Sequence, residues 1–401
     1  MKKPSGIRTV AVPGFRFAGI SSGIKSSGDK DLALILSQVP SVTVGLFTRN
    51  TIKAAPVNLT MKNIAAKKKC RAIIVNSGNA NACTGKQGLK DAELMVQTTA
   101  DELGIDSGLV NIASTGIIGI PLPMPKIKKA IPDLVSGLAD SSLSDTAHAI
   151  LTTDTFPKVS TKKITIGRAT GTIAGIAKGA GMICPDMATM LCFMFTDISV
   201  HQSTLHFALQ RAVNKSFNML SVDNDMSTND TVMIMANGIL GNTPLKKGSR
   251  VYNKFEQSLS ELTNDLSRMI AEDGEGATKL IEIIVKGAKT ESDAEKVAKA
   301  VSTSMLVKTA IYGKDPNWGR IMAAVGYSNA KIIEQKINIS INKIKLVSKG
   351  VGTGNDNIAK KVLAKKNITI TIDLGMGKKT SKSLTCDLTE GYIRINAAYR
   401  T

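Results

Sequence analysis

A lysine and a threonine in a glycine-rich frame are the residues of this sequence best placed to do chemistry. They lie in the run Ile176-Ala177-Lys178-Gly179-Ala180-Gly181-Met182-Ile183-Cys184-Pro185-Asp186-Met187-Ala188-Thr189-Met190-Leu191. A threonine hydroxyl is a weak nucleophile and needs a base. The chain holds only three histidines, which leaves little room for a His-based triad or a His-rich metal site. One alternative base is the threonine's own α-amine, exposed if the chain is cut just before Thr189. Such an amine has a reference pKa of about 7.7 to 8.0 and can accept a proton near neutrality. The same hydroxyl could make the cut, by attacking the Ala188 carbonyl in an N→O acyl shift. The small Ala188 leaves room for that attack. A plainer reading stands beside this one. Gly-rich loops are common, and Thr189 would then be only the first residue of a strand. Taken alone, the segment favours the plainer reading.

The elements that must hold this segment are readable from periodicity. Leu191 to Phe195 is a continuous apolar run, as expected for a strand buried on both faces. Lys163 to Ile166 and Thr172 to Ile176 read as a hairpin with a turn over Gly167 to Gly171. Ala72 to Val75 reads as a buried strand running into a loop from Asn76 to Ala82. Ser203 reads as the cap of a helix with apolar positions Leu205, Ala208, Leu209, Ala212 and Val213. Phe255, Leu259, Leu262, Leu266 and Met269 form a second helical stripe. Ser292 and Glu295 form a capping box before Ala294, Val297, Ala298, Val301 and Met305. Further strands are expected at Leu280 to Val285, Ile337 to Ile341 and Ile368 to Leu374. The Asp315 to Arg320 segment, with the one tryptophan, reads as a structural corner. The fold class is therefore mixed α/β or α+β, built in layers.

Composition removes several alternatives. At roughly 150 residues per domain, 401 residues make two or three packed units. No apolar run approaches the roughly 18 residues that a membrane helix requires. The basic start is not followed by an apolar stretch, so no cleaved signal peptide is expected. Five cysteines, without a CxxC pair, indicate a reducing compartment, and the cytoplasm is the expected location. The net charge of +20 invites a nucleic-acid reading. Short scattered lysine clusters, expected at turns and element ends, and 4% aromatic residues oppose it.

From Lys178 to Leu191 the chain follows the pattern K-G-[SA]-G-M-[IL]-x-P-x-[ML]-A-T-M-L. This is similar to the self-cleavage motif of the ornithine acetyltransferase family of bacterial arginine biosynthesis. Blocks at Asn76 to Gly85, Ser114 to Met124, Thr152 to Lys158, Ser227 to Val232, Glu275 to Lys279, Asp315 to Arg320 and Arg400-Thr401 resemble family blocks in the family order. Departures are mild: Cys184 and Asp186 in the motif, Asn224 where glycine is common, and a shifted Arg49.

The resemblance implies an αββα sandwich like that of the self-processing N-terminal-nucleophile enzymes, with a smaller C-terminal region. It implies a cut at Ala188-Thr189 into an α chain (residues 1–188) and a β chain (189–401), paired as a heterotetramer. It implies acetyl transfer from N-acetylornithine to glutamate through an acetyl-threonine at Thr189. Thr115 and Gly116 would form the oxyanion hole. Thr153, Thr155, Lys178, Thr189, Glu275, Asn396 and Thr401 would contact substrate, with the Asn396 amide available to a substrate carboxylate. Which of Thr153 and Thr155 faces substrate stays open. No metal and no cofactor are expected, although acetyl-CoA is a possible co-substrate. A related reading keeps the nucleophile and gives its acyl group to water, as in an amidohydrolase or aminopeptidase. The polar set Lys178, Glu275 and Asn396 favours an amino-acid acceptor.

Overall fold

The computed structural model describes residues 11–141, 143–184 and 190–398. The expected cut at Ala188-Thr189 and Thr401 lie outside the described residues. The first part of the chain runs β1 (Phe15–Ile20), β2 (Leu32–Phe47), α1 (Ala55–Lys67), β3 (Lys69–Asn79), α2 (Gly85–Leu103), β4 (Val110–Ile117), α3 (Met124–Ser136), α4 (Leu143–Ala149), β5 (Lys158–Ile166), β6 (Ala169–Lys178), β7 (Leu191–Thr196), α5 (Gln202–Asn214), β8 (Thr231–Ala236) and α6 (Arg250–Glu272). The strands form one sheet in the order β4-β3-β2-β8-β7-β6-β5, with β1 also on β2.

Strand β2 is where this sheet folds over. Its first half pairs with β1 and β3, and its second half pairs with β8. The register with β3 shifts between Leu36 and Ser41. Pro40 lies in that gap and has no N–H to give to a ladder. The two halves then face each other. Ile35 and Ile73 from one half share a buried cluster with Ile176, Phe193 and Met233 from the other. Phe195 packs against Phe15 and Phe17, with ring centroids 5.4 and 5.1 Å away. The period of two along each strand sends alternate residues outward. Cys192 and Met194 meet Leu205 and Leu209 of α5 and Leu259 and Leu262 of α6. Leu34, Ile74 and Ile112 meet Met95 of α2 and Ile127 and Ile131 of α3. The result is helix, sheet, sheet, helix, the layering expected above.

The rest of the chain runs β9 (Leu280–Ala288), α7 (Glu291–Thr303), α8 (Met305–Tyr312), α9 (Trp318–Gly326), β10 (Asn338–Ile341), β11 (Ile344–Ser348), β12 (Val351–Gly352), α10 (Asp356–Val362), β13 (Asn367–Asp373), β14 (Lys379–Cys386) and α11 (Glu390–Ala398). It forms a second sheet, ordered β12-β11-β10-β13-β9-β14. Ile283, Val297, Ile321 and Ile370 belong to its own core.

Several local expectations need correction. Strand β3 does not stop at Val75 but continues to Asn79 beside β4. Its polar residues are satisfied across the pair: the Ser114 hydroxyl donates to Asn76 Oδ1 at 2.6 Å. The β5–β6 turn is Gly167-Arg168 alone, because pairing already resumes at Ile166 and Ala169. Helix α5 is capped at His201, without a side-chain bond, so Ser203 lies inside it. The box on α7 is Thr290 with Asp293: the threonine hydroxyl accepts the Asp293 N–H at 3.0 Å and donates to its carboxylate at 2.7 Å. Met305 starts α8 and is 70% exposed, so it does not extend the α7 stripe. The lysine pairs at 128–129 and 162–163 lie within elements rather than at their ends, whereas Lys360 and Lys361 fall in the last turn of α10.

The sandwich interior gives a direct test. Phe195→Ala removes the ring between the two halves and should cost about 3–5 kcal/mol. Chemical denaturation should show the unfolding midpoint falling accordingly, whereas Phe195→Leu should lose less.

Candidate active site

Strand direction brings the candidate residues to one edge of the sandwich. β3 and β4 run parallel, so Gly78 and Gly116 lie side by side at their C-terminal ends. β6 runs antiparallel to β7, which places Lys178 opposite Leu191. β7 and β8 run parallel and start together at Leu191 and Thr231. A cavity of about 160 Å³ opens where these ends meet. Thr115, Gly116, Thr153, Lys178, Glu275 and Asn396 all line it, with Asp223, Asn229 and Tyr392.

The end of β4 is fixed by close backbone approach. Gly116 has φ +135°, and a Cβ there would lie 2.3 Å from the Gly78 carbonyl carbon. Only glycine permits this packing. The Asn229 amide ties the same edge together by donating to the carbonyls of Ala80 (2.7 Å) and Ser114 (2.8 Å).

Lys178 is 3% exposed. Its ammonium stands 3.9 Å from Asp154, an ion contact too long for a hydrogen bond. Asp154 is held by Lys158 at 2.7 Å and by the Gly179 N–H at 2.6 Å. Lys158 also reaches Asp273 at 2.6 Å. A buried run of alternating charge, Asp273–Lys158–Asp154–Lys178, thus ends at the cavity. Burial alone would raise the Asp154 carboxyl, but Lys158 and Lys178 overcome this and hold it well below the usual range. Burial lowers Lys178 from the ordinary lysine value of 10.5, with Asp154 pulling the other way.

Glu275 is only 8% exposed, although it lies between two glycines. A Cβ on Gly181 would lie 2.3 Å from its carboxylate, which explains that glycine of the Gly-rich run. The Glu275 N–H donates to Ala180 at 2.8 Å. Asn396, on α11, gives its NH₂ to Glu275 Oε2 at 2.7 Å and to the Tyr392 carbonyl at 3.0 Å. That nitrogen thus bonds two protein acceptors at the wall of the cavity. The same amide ties α11 to Glu275.

The two threonines separate. Thr153 lines the cavity. Thr155 donates its N–H to Asp273 at 3.0 Å and its hydroxyl to the same carboxylate, so it serves the buried charges instead. The sequence reading did not assign Asp154, Lys158, Asp223, Asn229, Asp273 or Tyr392. The spacing of Asp154 and Lys158 within the quoted Thr152 to Lys158 block was an available signal. Asp273 lies 115 positions from Lys158, and no local pattern reveals that pairing.

Asp223 secures the loop ahead of residue 185. It accepts N–H bonds from Met182 (2.7 Å) and Ile183 (2.8 Å) and the Tyr392 hydroxyl at 3.2 Å. Asn224 has φ +71°, a left-handed conformation that asparagine tolerates and glycine prefers. Its departure from the family glycine is thereby accommodated.

With this geometry in hand, comparison with known proteins settles the family. Residues 16–401 match the model of the ArgJ family. The chain belongs to the ArgJ family. The arginine biosynthesis bifunctional protein ArgJ of Geobacter sulfurreducens is 48% identical, covering 97% of this chain and all of the relative. That of Syntrophotalea carbinolica is also 48% identical, covering 98% of this chain and all of the relative. A crystal structure of the ArgJ protein of Bacillus halodurans matches with a TM-score of 0.50 at 42% identity, covering 98% of that chain and 52% of this one. The solved chain is thus about half as long as this one. The family resemblance read from the motifs is borne out.

The buried charge run makes a prediction. Lys158→Met leaves Asp154 and Asp273 without their shared cation. The loss should be about 3–5 kcal/mol, the cost of breaking a buried pair from one side. Thermal unfolding should show a lower midpoint, and Lys158→Arg should recover part of it.

Proposed function

We propose that the chain is an acetyltransferase of arginine biosynthesis that moves acetyl from N-acetylornithine to glutamate through Thr189. The observation that carries this reading is the joining, in one cavity, of a buried ammonium (Lys178), a buried carboxylate (Glu275) and the glycine-bearing end of β4. Such a cavity suits a small amino acid with an α-carboxylate and amine or amide nitrogens. An acceptor of this kind fits better than water, which needs no charged pocket. The names of the relatives support the pathway.

The chemistry has two stages. In the first, the Thr189 hydroxyl adds to the Ala188 carbonyl, the C–N bond breaks, and the nitrogen takes the hydroxyl proton. Water then hydrolyses the ester, leaving an Ala188 carboxylate and a free hydroxyl and α-amine on Thr189. In the second, the α-amine accepts the hydroxyl proton as the oxygen attacks the acetyl carbonyl. Ornithine leaves with a proton on its nitrogen, and glutamate's amine takes the acetyl group by the reverse steps. Thr115 and the Gly116 N–H would stabilise the oxyanion, where one donor contributes about 2.7–4 kcal/mol. Lys178 binds the carboxylate, Glu275 the substrate nitrogen, and Thr153 supplies a further polar contact. Thr401 is retained as a terminal contact. The half-length solved relative supports the division into chains 1–188 and 189–401. The word bifunctional in the relatives' names supports a second activity, for which acetyl-CoA as donor to glutamate is the candidate. A heterotetramer of two α and two β chains in the cytoplasm completes the proposal. Among the described residues, no helix is long and apolar enough to cross a membrane.

Denaturing gels and N-terminal sequencing test the first stage. The purified protein should give two bands near half of 42.4 kDa, one starting at Thr189. Thr189→Ala should abolish both cut and activity, and Thr189→Ser should retain slow cleavage. An intact chain with full activity would contradict the mechanism.

Steady-state kinetics test the pocket. Glu275→Gln and Lys178→Ala each remove a charge-assisted contact, costing about 1.5–3 kcal/mol, or roughly 10- to 150-fold in kcat/KM. Lys178 binds carboxylate only while protonated. Because burial lowers its pKa, KM should rise with pH below the ordinary lysine value of 10.5. Lys178→Arg should move that rise to higher pH.

A further inference from the structure

The charges that line the candidate cavity are uneven. There is one cation, Lys178, against three acids, Glu275, Asp223 and Asp225. Lys178 is 3% exposed and makes no hydrogen bond among the described residues. Native structures seldom leave a buried polar group so, and an anionic group in the cavity would supply its partner. Two of the acids are already committed. Glu275 accepts the Asn396 NH₂ at 2.7 Å. Asp223 accepts the N–H groups of Met182, Ile183 and Asp225 and the Tyr392 hydroxyl. Asp225 differs: it is exposed, and its carboxylate has no hydrogen bond or ion pair among the described residues. Its backbone is nonetheless anchored. The Asp225 N–H donates to Asp223 Oδ1 at 3.2 Å, and the N–H groups of Val222, Asp223 and Asn224 converge on the Ile183 carbonyl.

N-acetylornithine carries an α-carboxylate, an acetamide on the α-nitrogen and a side-chain ammonium. Glutamate shares the α-carboxylate and the α-nitrogen but ends in a second carboxylate. Both exchange one acetyl group at the α-nitrogen, so their side chains leave the reacting centre in the same direction. The charge at the far end is what tells them apart. We propose that Asp225 is a specificity-determining residue of this cavity: it pairs with the side-chain ammonium of N-acetylornithine while Lys178 holds the α-carboxylate. This rests on the acetyl-transfer reading and deepens it. Of the three acids, Asp225 has the carboxylate with room for a cation. Its exposure suits the task, since an ammonium is strongly hydrated and keeps part of its water there. The second carboxylate of glutamate can likewise stay in water, so a like charge at that place does not shut the acceptor out. Burial raises the Asp223 carboxyl, and the nearby charge of Asp225 adds to the rise. A ligand cation beside Asp225 would relieve that crowding of like charge.

Asp225→Asn removes the charge and keeps the shape. The probe is N-acetylnorvaline, which is N-acetylornithine without its side-chain amine. In a ping-pong sequence kcat/KM for the donor reports the first half-reaction alone, and kcat/KM for glutamate the second alone. Wild-type protein should prefer N-acetylornithine over N-acetylnorvaline by about 10-fold or more, the lower end for a contact to a charged group, and in Asp225→Asn that preference should shrink at least about fivefold. The value for glutamate should hold or rise, because the variant has lost a like charge. A preference that shrinks by less, a wild-type protein indifferent to the amine, or a glutamate value that falls as far as the N-acetylornithine value would overturn the proposal. Should the variant not fold, a crystal structure of wild-type protein with ornithine decides. A side-chain nitrogen within about 4 Å of the Asp225 carboxylate supports the proposal, and a greater separation overturns it. Wild-type protein that moves no acetyl from N-acetylornithine to glutamate would instead defeat the broader reading, and this proposal with it.

Discussion

The candidate site depends on one buried electrostatic arrangement, the run Asp273–Lys158–Asp154–Lys178. Charges inside a protein are tolerated only when paired and hydrogen-bonded. Here Lys158 is shared between two carboxylates, and Asp154 also takes the Gly179 N–H. Among the described residues, the last cation, Lys178, makes a long ion contact to Asp154 and lines the cavity. The run crosses from the loop before β5 to the end of α6. The charge at the cavity wall is thus set by the same contacts that join these elements.

The sandwich supplies the second requirement, a rigid edge. Parallel pairing of β3 with β4 and of β7 with β8 puts two strand ends and two strand starts at one place. The oxyanion candidates ride on the first pair, and in sequence Thr189 is two positions ahead of β7. Helix α11 closes the cavity from the far end of the chain, through Asn396 on Glu275 and Tyr392 on Asp223. Residues separated by more than a hundred positions meet without any being held on a long exposed loop.

How much of this the sequence disclosed depended on whether the signal was local. Helices α5 and α6 and strand β7 were readable because their burial follows a simple period or an unbroken apolar run. The end of β3 was misread because Asn76 to Asn79 carry loop-type residues, whose polar groups are in fact satisfied across the strand pair. Both caps were misplaced by two residues: α5 starts at His201 without a side-chain cap, and at α7 Thr290 rather than Ser292 has the capping geometry. Thr115, Lys178 and Glu275 were reached through motif resemblance, since their spacing alone is ordinary. Asp273 acts through contacts between distant segments, and nothing near it in the chain marks it out. Asn396 lines the cavity as read, and its bond to Glu275 was not legible because the two residues lie 121 positions apart.

The account stands on a covalent acetyl group at Thr189. Processed enzyme should be mixed with N-acetylornithine in the absence of glutamate, quenched in acid, and its fragments weighed by mass spectrometry. The fragment beginning at Thr189 should gain the mass of one acetyl group, mapped to the threonine hydroxyl, and should lose it when glutamate is added before the quench. Turnover of N-acetylornithine and glutamate with no acetylated fragment at any time would contradict the account.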